Sequence, residues 1–347
     1  MAAAGQSNLA QGARSTFRRT LIICLALLAA LLVVVVAASV IGAERLPFAS
    51  SLCSMFTGGR SSCGLTPDQS VILFEIRLPR ILLAASVGAS LATAGAGYQA
   101  LLRNPLAEPY LLGISNGAAV GTMIALVFFG QTTEFMRPLM AFAGALASTF
   151  VVYRLARGRT GTTPEKLILA GVIVTTFLSS AIVFITTLMD ATRIRSFTFW
   201  LLGDLSGGSS SLLWVALIAA IVGAVLLTLH SRSLNLMMLG ERDAFDLGVE
   251  VGRVRLVVFL TASLLVGASV ASSGSVGYVG LVVPHLVRLS IGSDNRLVMP
   301  AAALTGALFV IVADTVARTV IAPRELPVGA ITALIGAPLF IYLLRRG

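Results

Sequence analysis

Apolar positions in this chain come in long unbroken stretches. They show neither the alternation of half-buried strands nor the single stripe of a surface helix. Residues 21–43 are 23 uncharged positions behind Arg14, Arg18 and Arg19. An α-helix needs roughly 20 apolar residues to cross a bilayer, whereas the apolar part of a secretory leader has about 7–15. The segment therefore reads as a retained membrane helix. Further uncharged stretches fall near 81–102, 110–130, 138–153, 167–189, 212–229, 256–273, 278–291, 297–313 and 327–344. The pattern predicts an all-α membrane protein of about ten transmembrane helices with both termini on one side. The eighth stretch is short and holds Pro284, so its ends stay open. Residues 1–347 read as one polytopic domain, with a tail at 1–19, an outer loop at 44–76 and an inner loop at 231–253.

Composition agrees. Of the 347 residues 57% are apolar and 12% charged, with a mean hydropathy of +0.95. A soluble domain carries about 25% charged residues, so a soluble enzyme is excluded. The net charge of +10 would suggest nucleic acid in a soluble protein. Here it fits the positive-inside rule instead: with the N-terminus inside, 16 of the 25 basic residues fall on the inner side, against seven of the 15 acids. No nucleic-acid partner is expected.

The chain has a single lysine, Lys166, in Pro164-Glu165-Lys166-Leu167. A phosphate-binding loop needs Gly-Lys followed by Ser or Thr, so the chain is not expected to hydrolyse ATP. Three cysteines and two histidines have neither metal nor redox spacing, and no cofactor is expected. Cys53 and Cys63 bracket a Gly/Ser-rich stretch, Phe56 to Ser62, in the outer loop. On an oxidising side they could form a disulfide, but spacing alone leaves both states open.

An internal echo links the two halves. Residues 88–95 and 267–274 share the pattern GASxAxxG on spans two and seven, which cross in opposite directions. An inverted five-plus-five repeat would place them so, although small residues also recur wherever membrane helices pack closely.

Four stretches stand out. Arg103-Asn-Pro-Leu-Ala-Glu-Pro109 reads as a tight inner turn stopped by two prolines, followed by Leu112-Gly-Ile-Ser-Asn-Gly117. Gly277-Tyr-Val-Gly-Leu-Val-Val-Pro-His285 carries a lone histidine, which reads first as a packing residue. Residues 234–248 interleave apolar and charged positions at helical spacing. Gly240 divides two short helices there and Gly248 ends the second. Counted with Arg232, Glu250, Arg253 and Arg255 beside it, its charges cancel, which favours a protein partner over lipid headgroups. Last come Asp314 and Arg318, four apart and able to pair on one helix face, then Glu325-Leu-Pro-Val-Gly329 and Gly336-Ala-Pro338.

Together, in this order, these stretches resemble the FecCD family of ABC importer permeases, from about residue 70 to the C-terminus. The resemblance implies a type II ABC importer permease fold of ten helices, working as a homodimer in the cytoplasmic (inner) membrane. It also implies two ATPase subunits inside and one substrate-binding protein outside. By that likeness Leu234, Leu236, Leu239, Gly240, Glu241, Ala244, Leu247 and Gly248 would couple to the ATPase. Asn104, Leu106, Thr162 and Thr163 would belong to the cytoplasmic gate, while Arg77, Arg80 and Arg318 would dock the binding protein. The cargo expected is an iron chelate, ferric siderophore or haem, with cobalamin as the alternative. An ion-coupled secondary transporter is disfavoured because, apart from Asp314 and His285, the spans have almost no ionisable groups. A membrane-embedded enzyme is disfavoured too, since no acid–base or nucleophile pair stands out.

Overall fold

The computed structural model describes residues 2–42, 44–58, 63–129, 135–158, 161–206 and 210–346. The first half runs through helices α1 (Ala2–Val40), α2 (Phe48–Thr57), α3 (Pro67–Val71), a π-helical turn (Ile72–Arg77), α4 (Leu78–Leu101), a 3-10 turn (Pro109–Leu112), α5 (Ile114–Phe128), α6 (Met136–Ala156) and α7 (Pro164–Thr187). The second half comprises α8 (Ala191–Leu201), α9 (Ser210–Leu229), α10 (Ser231–Leu239), α11 (Glu241–Asp246), α12 (Val251–Ser273), α13 (Val279–Ile291), α14 (Asn295–Thr319) and α15 (Val328–Arg346). Each of the ten apolar stretches corresponds to one helix. Six of them (α1 from Arg18, α6, α7, α9 from Ser211, α12 and α14) are long and apolar enough to cross a membrane. Helices α2, α3 and α8, on the connections, had no counterpart among the apolar stretches.

Helix α4 lies at the centre, buried along nearly its whole length. Its run of Ala, Gly and Ser lets neighbouring backbones approach closely, which is how helices gain packing where lipid offers no hydrophobic drive between them. A Cβ on Gly88 would run into the Gly306 carbonyl of α14, and one on Gly95 into the Gly280 carbonyl of α13.

The packing pairs follow an inverted repeat. Helix α4 packs on α14 as α12 packs on α6, α5 on α6 as α13 on α14, and α6 on α7 as α14 on α15. The sequence echo is half kept in space. Gly88 meets α14 and Gly267 meets Ala145 of α6, which are corresponding partners. Gly95, however, sits inside α4, whereas Gly274 follows the end of α12.

One expectation is corrected. The sequence reads the 103–109 stretch as a tight inner turn between two packed helices, with the third span starting at Tyr110. Instead the chain folds back into the bundle, and α5 begins only at Ile114. The Tyr110 hydroxyl donates to the Val276 carbonyl at 2.8 Å and accepts from the Val276 N–H at 3.0 Å. Glu108 Oε1 accepts from the Tyr278 N–H at 3.3 Å. Helices α5 and α13, of 15 and 13 residues, thus start inside the protein from two irregular segments that satisfy each other. Non-helical backbone at such depth is tolerated where protein covers it. Pro284 contributes to the same arrangement. It leaves the Gly280 carbonyl without its helical donor, and the Gln99 side-chain amide approaches Gly280 O at 3.4 Å and Leu281 O at 3.1 Å.

Candidate functional site

Polar chemistry gathers at the two ends of the bundle. At one end α10 and α11 form a short helical pair between α9 and α12. Leu234, Met237 and Ala244 are buried and fasten the pair to the body. Asn235 helps: its Nδ2 donates to Asp294 Oδ1 at 2.6 Å, and its Oδ1 accepts from the Asn295 N–H at 2.9 Å. Leu239, Phe245 and Leu247 face outward, 72%, 71% and 64% exposed. Beside them a cavity of about 320 Å³ is lined by Glu241, Arg242, Phe245, Asp246 and Val251.

These positions revise the sequence assignment. Leu234 and Ala244, expected to touch a partner, are turned into the chain and anchor the helix pair instead. Leu236 is half-buried, and Gly240 and Gly248 bound the second short helix. Phe245 was missed. The phase of apolar residues on so short a helix does not say which faces the body, and only packing resolves it.

The two segments assigned to a gate lie at the same end. Asn104 Oδ1 accepts from the Leu106 N–H at 2.9 Å, a turn typical of Asn. The preceding Arg103 adopts a left-handed backbone (φ 51°), and Leu106 is exposed. Thr163 caps α7, its hydroxyl accepting from the Lys166 N–H at 3.4 Å. Thr162 is buried, and its carbonyl accepts from Arg255. Between the segments stands Glu241: its Oε1 lies 2.8 Å from Arg103 Nη2 and 2.5 Å from Arg255 Nη2.

At the opposite end Arg77, Arg80 and Arg318 all find partners within the chain. Arg77 is buried and donates to the carbonyls of Ser39 (2.8 Å), Val40 (3.0 Å) and Glu44. Arg80 grips Asp314 through Nε (3.0 Å) and Nη2 (2.9 Å), and its Nη1 reaches Glu325 Oε2 at 2.7 Å. Arg318 Nε lies 3.0 Å from Asp314 Oδ2, the pairing that their spacing suggested. Of these groups only Glu325 is well exposed, at 48%. A cavity of about 260 Å³ opens beside it, lined in part by Glu75, Arg80, Ser206 and Glu325. Cys53 and Cys63 are disulfide-bonded. Residues 59–62 of the stretch they bracket lie outside the described residues. Among the described residues no group of three or more His, Cys, Asp or Glu side chains could hold a metal ion.

Comparison with known proteins places this architecture. The family model described as the FecCD transport family matches residues 21–346. A cobalamin import system permease protein of Halobacterium salinarum is 44% identical over 81% of this chain and 75% of its own length. A hemin transport system permease protein of Yersinia pestis is 42% identical over 79% of this chain and 83% of its own. A solved structure described as an inward-facing conformation of a metal-chelate type ABC transporter superposes with a TM-score of 0.80 at 32% identity, covering 94% of this chain and 100% of that one. With its two short interior helices, its helix pair between α9 and α12 and its RNPLAEP and GLVVPH runs, the chain belongs to the FecCD family of ABC transporter permeases, transport subunits and not enzymes.

Proposed function

We propose that this chain, as a homodimer, carries a bulky iron chelate (a ferric siderophore or haem) inward across the cytoplasmic (inner) membrane. ATP would be hydrolysed by two separate ATPase subunits. The observation that carries the reading is the exposed apolar patch of Leu239, Phe245 and Leu247 on a helix pair whose other face is anchored in the bundle. An exposed cluster of this kind marks a protein interface. The end bearing it is the Arg-rich one, hence cytoplasmic with both termini. Helices α7 and α15 present bare apolar faces, with Phe177, Phe184, Leu334 and Ile341 exposed, which suits a second copy across a central pathway. On the outer side a substrate-binding protein would meet Arg80. Arg77 and Arg318, which are buried and do not reach the exposed Glu325 as Arg80 does, would hold that surface in shape.

A cobalamin cargo is the second reading, favoured by the relative named for cobalamin import. Uptake of radioiron-labelled siderophores, radioiron-labelled haem and radiocobalt-labelled cobalamin, measured side by side in a deletion strain and its complemented parent, tests both. Loss of an iron chelate alone supports the first reading and loss of cobalamin alone the second. Unchanged uptake of all three refutes both.

A further inference from the structure

We infer that Glu241 is a positioning residue that ties the ATPase-facing helix pair to both gate segments at once. The inference rests on the importer reading above and goes beyond it. It concerns how movement of α11 reaches the gates.

Glu241 is the first residue of α11, and its carboxylate, 36% exposed, reaches the body of the protein. One oxygen, Oε1, serves two cations from different elements. Arg103 opens the 103–109 segment that holds Asn104 and Leu106. Arg255, on α12, also donates to the carbonyl of Thr162, next to the cap of α7. The path therefore runs from the 103–109 segment through Arg103, Glu241 and Arg255 to Thr162. Glu165, in the first turn of α7, lies within electrostatic reach of both arginines.

The two arms differ in kind. The Arg103 arm joins half-exposed groups, with side chains 38% and 36% exposed, and can break and reform cheaply. The Arg255 arm is different, because that side chain is 6% exposed and its Nε has no hydrogen-bond partner. With Glu241 removed, Arg255 would be left as a buried charge with one carbonyl in hydrogen-bond contact and only the exposed Glu165 within electrostatic reach, facing a second cation, Arg103. Displacement of α11 by an ATPase therefore cannot leave both gate segments where they are without separating Glu241 from Arg255.

The test uses the permease with its own ATPase in nanodiscs, spin-labelled at the exposed Leu106 and Glu165. In the wild type the distance between labels should change when ATP is trapped, and in Glu241→Gln that change should vanish. ATP consumed per cargo moved should rise about tenfold or more, the scale of one lost charge-assisted bond. Glu241→Asp, which keeps the charge, should recover part of the coupling. If Glu241→Gln does not assemble, Arg103→Gln, which breaks only the exposed arm, should still weaken the nucleotide response of the Leu106 label. A Glu241→Gln complex with the wild-type distance change and stoichiometry overturns the relay, as does an undiminished Leu106 response in Arg103→Gln. Labels that never respond to nucleotide in the wild type instead sink the underlying gate reading. So does a Leu239→Asp/Phe245→Asp variant that still binds the ATPase.

Discussion

Arg80 on α4 and Asp314 on α14, 234 positions apart, meet in a two-armed ion pair at 2.9–3.2 Å, with Asp314 only 1% exposed. Asp314 also faces Arg318, so a single buried carboxylate neutralises two guanidinium groups. The pair closes one end of the helix contact that Gly88 and Gly306 make possible further along.

Replacing Asp314 by Ala should strand the buried Arg318 and leave Arg80 with Glu325 alone. Breaking a buried pair in this way costs about 3–5 kcal/mol. Thermal unfolding in detergent should show a marked drop, while Asp314→Glu should retain part of the stability.

Glu325 sits on the exposed arm of the same arginine, at 48% exposure. Glu325→Gln should change stability by less than about 1 kcal/mol. If Arg80 docks a substrate-binding protein, the variant frees one guanidinium edge, and affinity for that protein should rise severalfold in a surface-plasmon measurement. Unchanged affinity would take Arg80 out of the interface.

Gly88→Val should separate α4 from α14, because a Cβ there collides with backbone, which cannot step aside as a side chain can. Overpacking of this kind costs about 1–3 kcal/mol. Lower yield of folded protein in size-exclusion chromatography should report it, and enlarging the exposed Leu25 of α1 to Phe should leave the yield unchanged.

Tyr110→Phe removes the hydroxyl that satisfies both the N–H and the carbonyl of Val276. Two backbone groups without partners cost about 1–3 kcal/mol each. Hydrogen exchange at Val276 should quicken, while exchange in α4 stays slow.

Leu239→Asp and Phe245→Asp change exposed side chains and should leave thermal unfolding within about 0.5 kcal/mol of the parent. Co-purification of the ATPase should fall about tenfold or more for a central apolar anchor. Leu234→Asp, at a buried position, should unfold the chain instead, and this contrast separates partner contact from anchoring.

The sequence by itself determined the class of the protein, the number and order of its apolar helices, the helix pair at 234–248 and the family. Each of these depends on patterns within a few tens of residues: unbroken apolar length, charge bias between loops, and motif runs. Tertiary structure decided the rest. Membrane length is a property of one segment, but the depth at which a helix begins depends on what its backbone meets. The fold-back of 103–113 onto 274–278 was therefore hidden from a hydropathy reading. The Asp314–Arg318 pair was legible because a helix turn sets its spacing. Arg80–Asp314 and the bonds that Glu241 makes to Arg103 and Arg255 were not, since no local rule brings such positions together. In a bilayer nearly every apolar residue is compatible with a surface position. Which faces pack inward is fixed by the close approach of small residues and by the few polar groups that need one another.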